Sequence, residues 1–271
     1  MSSVILLPLL FAWMSAPQAA DRVVGLLSLP EVFGKGPCDT FTPQEVLLYS
    51  APDSRDVMGS IRVDKYWTFP AEGGCQGLTV NVHHRRDGRV SELPTKEYEY
   101  EAAAAIVLQQ RDRWFKLRLA DGAAWVLGSE RDEFFSLEKL LTRNETASLT
   151  DVWDGRLAAS PGKRVERVPR DPRPDDVRVL GFRRVGDQVW TEVELLSHSR
   201  CKSNDEPRVM RRGWMLAHDR SGEPTIGSPR AAADHQESIG SFRRCLSRSI
   251  NAAALAELAI ASATAIHSTC R

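Results

Sequence analysis

The side chains most capable of chemistry in this 271-residue sequence are its histidines and cysteines. His198-Ser199-Arg200-Cys201 and His267-Ser268-Thr269-Cys270 are two His-x-x-Cys pairs. Together they offer two imidazole nitrogens and two thiolates, a tetrahedral zinc set. Oxidation competes for the same sulfurs. The five cysteines are Cys38, Cys75, Cys201, Cys245 and Cys270, and in an oxidising compartment such thiols form bridges more readily than they hold metal. Cys38 and Cys75 lie in Gly34-Lys35-Gly36-Pro37-Cys38 and Glu72-Gly73-Gly74-Cys75-Gln76-Gly77, a context that suggests a clip between two N-terminal loops. Such a clip stabilises by about 3 to 4 kcal/mol in the chain-entropy model. Cys201 is then left to pair with Cys245 or with Cys270, and one thiol stays unpaired. Bridges through Cys38, Cys75, Cys201 and Cys245 are the preferred reading, and zinc on His198, Cys201, His267 and Cys270 is the alternative.

Other reactive constellations are missing. The sequence has no Gly-x-x-x-x-Gly-Lys-Ser/Thr loop for phosphates, no His-Glu-x-x-His pair and no Gly-x-Ser-x-Gly elbow. Glu130, Asp132 and Glu133 gather before a helix, where carboxylates solvate a surface and complement a helix start rather than form an acid/base pair. Cys245 and His267 are the residue types of a Cys-His nucleophile. However, the 44 residues from Ser228 onward are too few for an enzyme domain. The expectation is a non-enzymatic protein with no catalytic residue and no cofactor.

The leader sets the compartment. Val4-Ile5-Leu6-Leu7-Pro8-Leu9-Leu10-Phe11-Ala12-Trp13-Met14 is an apolar run that ends in Ser15-Ala16-Pro17-Gln18-Ala19-Ala20. This reads as a signal peptide over residues 1–20, with a buried strand or an uncleaved anchor as the alternatives. A membrane span needs about 20 apolar residues, and Pro8, Pro17 and Gln18 interrupt this run. An exported protein, periplasmic or secreted and with no transmembrane span after cleavage, is therefore expected. Lys and Arg number 36 and Asp and Glu 36, so the chain lacks the positive excess on which counterion-release binding of nucleic acid depends.

Short alternating segments split by turns must position whatever the protein binds, and they argue for β structure. Glu45-Val46-Leu47-Leu48-Tyr49-Ser50, the turn Ala51-Pro52-Asp53-Ser54 and the run from Val57 to Val63 read as strand, turn, strand. Trp114-Phe115-Lys116-Leu117-Arg118-Leu119 runs through Asp121-Gly122 into Ala123-Ala124-Trp125-Val126, a hairpin signal because Gly tolerates the backbone such turns need. Period-two counting puts Phe115, Leu117 and Leu119 on one face and Trp114 with Lys116 and Arg118 on the other. In the segment from Val189 to Leu195 it likewise sets Trp190 beside Glu192 and Glu194. An aromatic on the polar side of a strand either lines a groove or caps a second, minor core.

The stretch from Leu48 to Val126 resembles the bacterial SH3-like (SH3b) family. The resemblance rests on Leu48-Tyr49-Ser50-Ala51-Pro52, Val57-Met58-Gly59, Arg111-Asp112-Arg113-Trp114-Phe115-Lys116-Leu117 and Asp121-Gly122-Ala123-Ala124-Trp125-Val126. A second copy begins at Gly155-Arg156-Leu157-Ala158-Ala159-Ser160-Pro161-Gly162. It continues at Gly186-Asp187-Gln188-Val189-Trp190-Thr191-Glu192-Val193 and closes at Arg212-Gly213-Trp214-Met215. Two departures stand out: an insertion between Val63 and Ala102, and residues 196–210 in place of a tight turn.

The resemblance implies a mainly β protein of two small SH3-like barrels. The expected layout is an N-terminal extension over 21–43, a first barrel over 44–130 with insertion 64–101, and a helical linker over 131–154. A second barrel over 155–228 and a helical tail over 229–271 complete it. Ser136 is the expected N-cap of the linker helix, and Asn251 caps the alanine-rich tail helix. The resemblance further implies an aromatic groove for a cell-wall peptide, peptidoglycan or an envelope partner protein. Tyr49, Trp114 and Trp125 are the contact candidates in the first copy, and Trp190 and Trp214 in the second. A structural or assembly protein without a small ligand is the rival reading.

Overall fold

Alternation of apolar and polar side chains carries through to the architecture, which is a computed structural model of mainly β type. It describes residues 21–33, 36–37, 45–69, 74–99, 102–143, 147–168, 176–198 and 205–227. The expected signal peptide, the C-terminal tail, His267, Cys38, Cys201, Cys245 and Cys270 lie outside the described residues.

The N-terminal half contains β1 (Gly25–Ser28), α1 (Pro30–Phe33), β2 (Gly36–Pro37), β3 (Val46–Tyr49), β4 (Val57–Phe69), β5 (Gly74–His84), β6 (Val90–Glu92) and β7 (Thr95–Glu99). It continues with β8 (Ala102–Arg111), β9 (Trp114–Leu119), β10 (Gly122–Leu127), β11 (Glu133–Ser136) and α2 (Leu137–Arg143). The C-terminal half contains β12 (Ala147–Leu149), β13 (Arg156–Ala158), β14 (Val165–Arg167), β15 (Asp176–Val185), β16 (Gln188–Leu196), β17 (Val209–Leu216) and β18 (Ile226–Gly227).

Two sheets form. The first runs β11-β1-β8-β9-β10-β3-β4-β5-β2, with β6 on β5 and β7 on β8, and the second runs β14-β13-β17-β16-β15-β12-β18. The two sheets share part of their connectivity. The order β8-β9-β10-β3-β4 in the first sheet has the same chain logic as β15-β16-β17-β13-β14 in the second. In each, a three-strand meander brings its last strand back beside the first strand of the repeat, as Trp125↔Tyr49 and Ala158↔Trp214 record. Turn chemistry fits: Gly122 and Gly186 take φ of 141° and 62° between paired strands, values that L side chains rarely adopt.

Each sheet wraps its own core. Leu27, Leu48, Ile61, Val82, Val107, Leu117 and Val126 fill the first. Leu157, Val177, Val193, Leu195, Met215 and Ile226 fill the second. Strand β9 alternates as its sequence predicts, with Phe115, Leu117 and Leu119 buried.

Four stretches differ from simple connectors. The N-terminal extension supplies β1, which sits between β8 and β11 with Leu27 opposite both Ala105 and Phe134. The linker carries β11 and β12 as well as its helix, and its cap is as expected: Ser136 Oγ accepts from the Lys139 amide at 3.1 Å. The insertion between Val63 and Ala102 becomes a long β4–β5 hairpin with β6 and β7 flanking. The segment from Lys163 to Asp176, whose basic residues and Pro169, Pro172 and Pro174 read as an exposed loop or extended linker, contains β14 paired with β13.

Leu27 is fully buried in the core of the first sheet. Its replacement by Ala is expected to lower the stability of the purified protein by about 2 to 5 kcal/mol. Denaturant titration checks this, and a loss under about 1 kcal/mol contradicts a structural role for the extension.

Candidate functional site

The sheet orders bring Tyr49 and Trp114 together from distant parts of the chain. Trp114 opens β9 directly after the Asp112-Arg113 turn, and Tyr49 closes β3 before the turn that holds Asp53. Their rings meet edge to face at 5.3 Å and 87°, the geometry in which a positive ring edge meets a negative π face. Trp114 Nε1 donates to Asp53 Oδ1 at 3.2 Å, so the indole is held from two sides while staying half-buried. Leu127 lies opposite Trp114 in the β9–β10 register, and Leu47 shares a strand face with Tyr49. Leu127 and Leu47 are exposed at 48% and 41%, so apolar surface continues outward from the two rings.

Asp53 and Asp112 are not distinguished by sequence alone. They are the non-glycine residues with positive φ among those described, at 60° and 53°. Both flank Trp114, one through its indole bond and the other by chain position. Asp tolerates this region because its short side chain bonds locally, but the conformation still carries strain that recurs at ligand contacts. The signal available in the sequence was the pair of Asp-containing turns at Pro52-Asp53 and Asp112-Arg113.

The remaining candidate rings divide. Trp125 lies opposite both Tyr49 and Lys116 and is only 9% exposed. Trp190, opposite Arg183 and Leu216, is 5% exposed, and its Nε1 has no partner among the described residues. These two rings act as packing. Trp214 is half-buried beside Glu192 and Ala158. Around it the polar side of the second sheet forms a charge ladder, with Arg212 on Glu192 at 2.9 Å and Arg178 on Glu194 at 2.8 Å. A minor core also exists on the outer side of the first sheet, made of Val23, Leu26, Ala104, Ile106 and Leu108.

The groups suited to chemistry do not converge. Among the described residues there is no group of three or more His, Cys, Asp or Glu side chains able to hold a metal. The imidazole of His198 meets Ser197 Oγ at Nδ1, at 3.0 Å, and the Asp205 carbonyl at Nε2, at 3.1 Å. Its expected zinc partners lie outside the described residues. Of the proposed cysteine clip, the backbone of Cys75 lies opposite Gly36, two residues before Cys38. Ser91, His84 and Asp121 have the residue types of a nucleophilic triad, but Ser91 Oγ, at 3.1 Å, and Asp121 Oδ1, at 3.9 Å, both face His84 Nε2. A relay needs them on opposite ring nitrogens. Asp132 accepts from the Ser129 amide, and Glu133 pairs with Lys139 at 3.3 Å, so these carboxylates serve the turn and helix start.

Beyond the site, His83 Nε2 sits 3.3 Å from Asp64, and Asn81 donates to the same carboxylate. The Asn81 bond, joined by His83 and Arg62, outweighs desolvation and holds the Asp64 carboxyl below its usual range. No helix among the described residues is long and apolar enough to cross a membrane. Scans of family models, curated proteins and solved structures found no significant match to this chain.

Acrylamide quenching of the folded protein tests this division of the rings. Trp114→Phe lowers the Stern–Volmer slope by removing an accessible emitter, and Trp190→Phe raises it by removing a protected one. The reverse order contradicts the assignment.

Proposed function

We propose that this chain is an exported, non-enzymatic binding module of two SH3-like units. It recognises a cell-wall peptide, peptidoglycan or an envelope partner protein through the Tyr49–Trp114 surface. The observation that carries this reading is Trp114 itself: an indole fixed by Tyr49 and Asp53, half-exposed, and continuous with exposed Leu47 and Leu127. Rigid aromatics lose little conformational freedom on binding and dominate contact energies, so a pre-fixed Trp beside apolar surface suits an extended peptide. Trp214 is the corresponding open ring of the second unit, and Trp125 and Trp190 support these surfaces from within.

The repeated strand order supports the SH3-like reading, since in both units the fifth strand of the repeat returns beside its first. Asp21 binds Lys116, and β1 starts at Gly25, so processing after Ala20 leaves every one of these contacts intact. In an oxidising compartment Cys38 and Cys75 join, a bond consistent with the pairing of Gly36 against Cys75. Non-reducing peptide mapping of the exported protein is expected to recover that linked pair. Free thiols at both positions contradict the compartment.

A second reading has its own support. Buried Trp125 and Trp190, with the ion pairs Arg22–Asp187 and Arg118–Glu223 linking the two halves, suit an assembly protein whose units pack on each other. Retention on purified cell-wall sacculi separates the two. The binding reading predicts retention that falls about fivefold or more in Trp114→Ala, the effect of an aromatic contact worth over ~1 kcal/mol. No retention, with a stable oligomer in analytical ultracentrifugation, favours assembly.

A further inference from the structure

Several arginines of the second sheet stand against an acid. Arg212 meets Glu192 at 2.9 Å, Arg178 meets Glu194 at 2.8 Å, Arg156 meets Asp154 at 3.8 Å, and Arg211 meets Glu166. The β13–β14 hairpin breaks this pattern where its tip reaches the end of β15. Gly162, in the tip, comes so near that a β-carbon there would lie 3.7 Å from Val185 Cγ1. Two residues or fewer from that contact, on one segment or the other, stand Lys163, Arg164, Arg183 and Arg184, all exposed. None of the four side chains has a hydrogen bond or ion pair among the described residues. The acids nearest to them along the chain are already engaged, Asp187 by Arg22 at 3.5 Å and Glu166 by Arg211. Arg167 extends the charge along β14, where it stands opposite Arg156 in register, a placement that costs stability when both are cations.

Like charges gathered in this way repel one another and raise the free energy of the folded chain until counter-charge arrives from outside. Three of the four are arginines, whose planar forks pair with phosphate oxygens two at a time. Apolar surface lies among them, since Val165 and Val185 are exposed at 38% and 40%. Every residue from Gly162 to Arg167 and from Arg183 to Gln188 is exposed, so the patch is a projecting tip and not a cleft. A thread-like polyanion is held best along a groove. A flat layer of headgroups, in contrast, meets a projecting tip with all of its cations at once.

We propose that this tip is a membrane-contacting surface that rests on anionic phospholipid, with Lys163, Arg164, Arg183 and Arg184 on the phosphates and Val165 and Val185 against the headgroup–acyl boundary. The attraction is peripheral and electrostatic. Each cation near an anionic leaflet strengthens binding about fivefold, and added salt weakens it by screening. The surface is separate from the Tyr49–Trp114 site, so either assignment can fail without the other.

The test is co-sedimentation of the full chain with vesicles of phosphatidylcholine and with vesicles of equimolar phosphatidylcholine and phosphatidylglycerol. The wild type should bind the anionic vesicles, release them as salt is raised, and ignore the neutral ones. Lys163→Gln/Arg164→Gln and Arg183→Gln/Arg184→Gln should each weaken binding about tenfold or more. Arg85→Gln/Arg86→Gln removes two exposed cations from the β5–β6 turn and should leave it unchanged, as should Trp114→Ala. Equal binding to both vesicles, no binding to either, or an equal loss in the Arg85/Arg86 variant overturns the proposal. Binding of soluble polyphosphate without binding of vesicles also overturns it and points to a soluble polyanion. If a variant fails to fold, spin-labelled lipid in the anionic vesicles decides on the wild type. The amides of 163–165 and 183–185 should broaden, and broadening centred on the 85–88 turn refutes the assignment.

Discussion

Every polar group of a buried backbone must find a partner, and in this molecule the segment from Val23 through β1 is where that requirement is met for both halves at once. The strand is four residues long. It closes β8 on one side and β11 on the other, while Leu27 and, just beyond, Leu29 and Val32 fill the first core. Without it, β8 and β11 would each present an open edge, the template for aberrant pairing that folded sheets avoid. The residues just before it carry the same logic across to the second sheet through Val23. An N-terminal stretch that looks like an extension is therefore the element on which sheet continuity and the junction between halves both depend.

What sequence makes legible is local. The β9–β10 hairpin follows from Asp121-Gly122 between alternating runs, and the Ser136 cap follows from residue type and position. The burial of Phe115, Leu117 and Leu119 follows from a period of two. Long-range pairing is not local. Gly25-Leu26-Leu27-Ser28 is too short to alternate visibly, and its partners lie near residues 106 and 134. β14 escapes notice for a different reason: Val165, Glu166 and Arg167 are all exposed, so no apolar side marks the strand.

The candidate rings show the same limit. Trp114, Trp125 and Trp190 all stand on the outer side of their strands, and nothing in the spacing says which will be covered. Packing decides it. Trp125 sits in the middle of a row between Tyr49 and Lys116, Trp190 sits between Arg183 and Leu216, and both rings are buried. Trp114 stands at the start of its strand, where the turns holding Asp53 and Asp112 fix it without covering it. The neutral charge of the chain has a structural counterpart too. Across the junction acids and bases are matched, Arg22 with Asp187 and Arg118 with Glu223.

The indole N–H resonance of Trp114 reads the central claim most directly, because it reports the ring fixed by Tyr49 and Asp53 while half-exposed. On adding soluble peptidoglycan fragments, that resonance and those of the Asp53 turn should shift with a common saturation, while the Trp190 indole stays in place. Shifts centred on Trp190, or none at saturating fragment, would contradict the account.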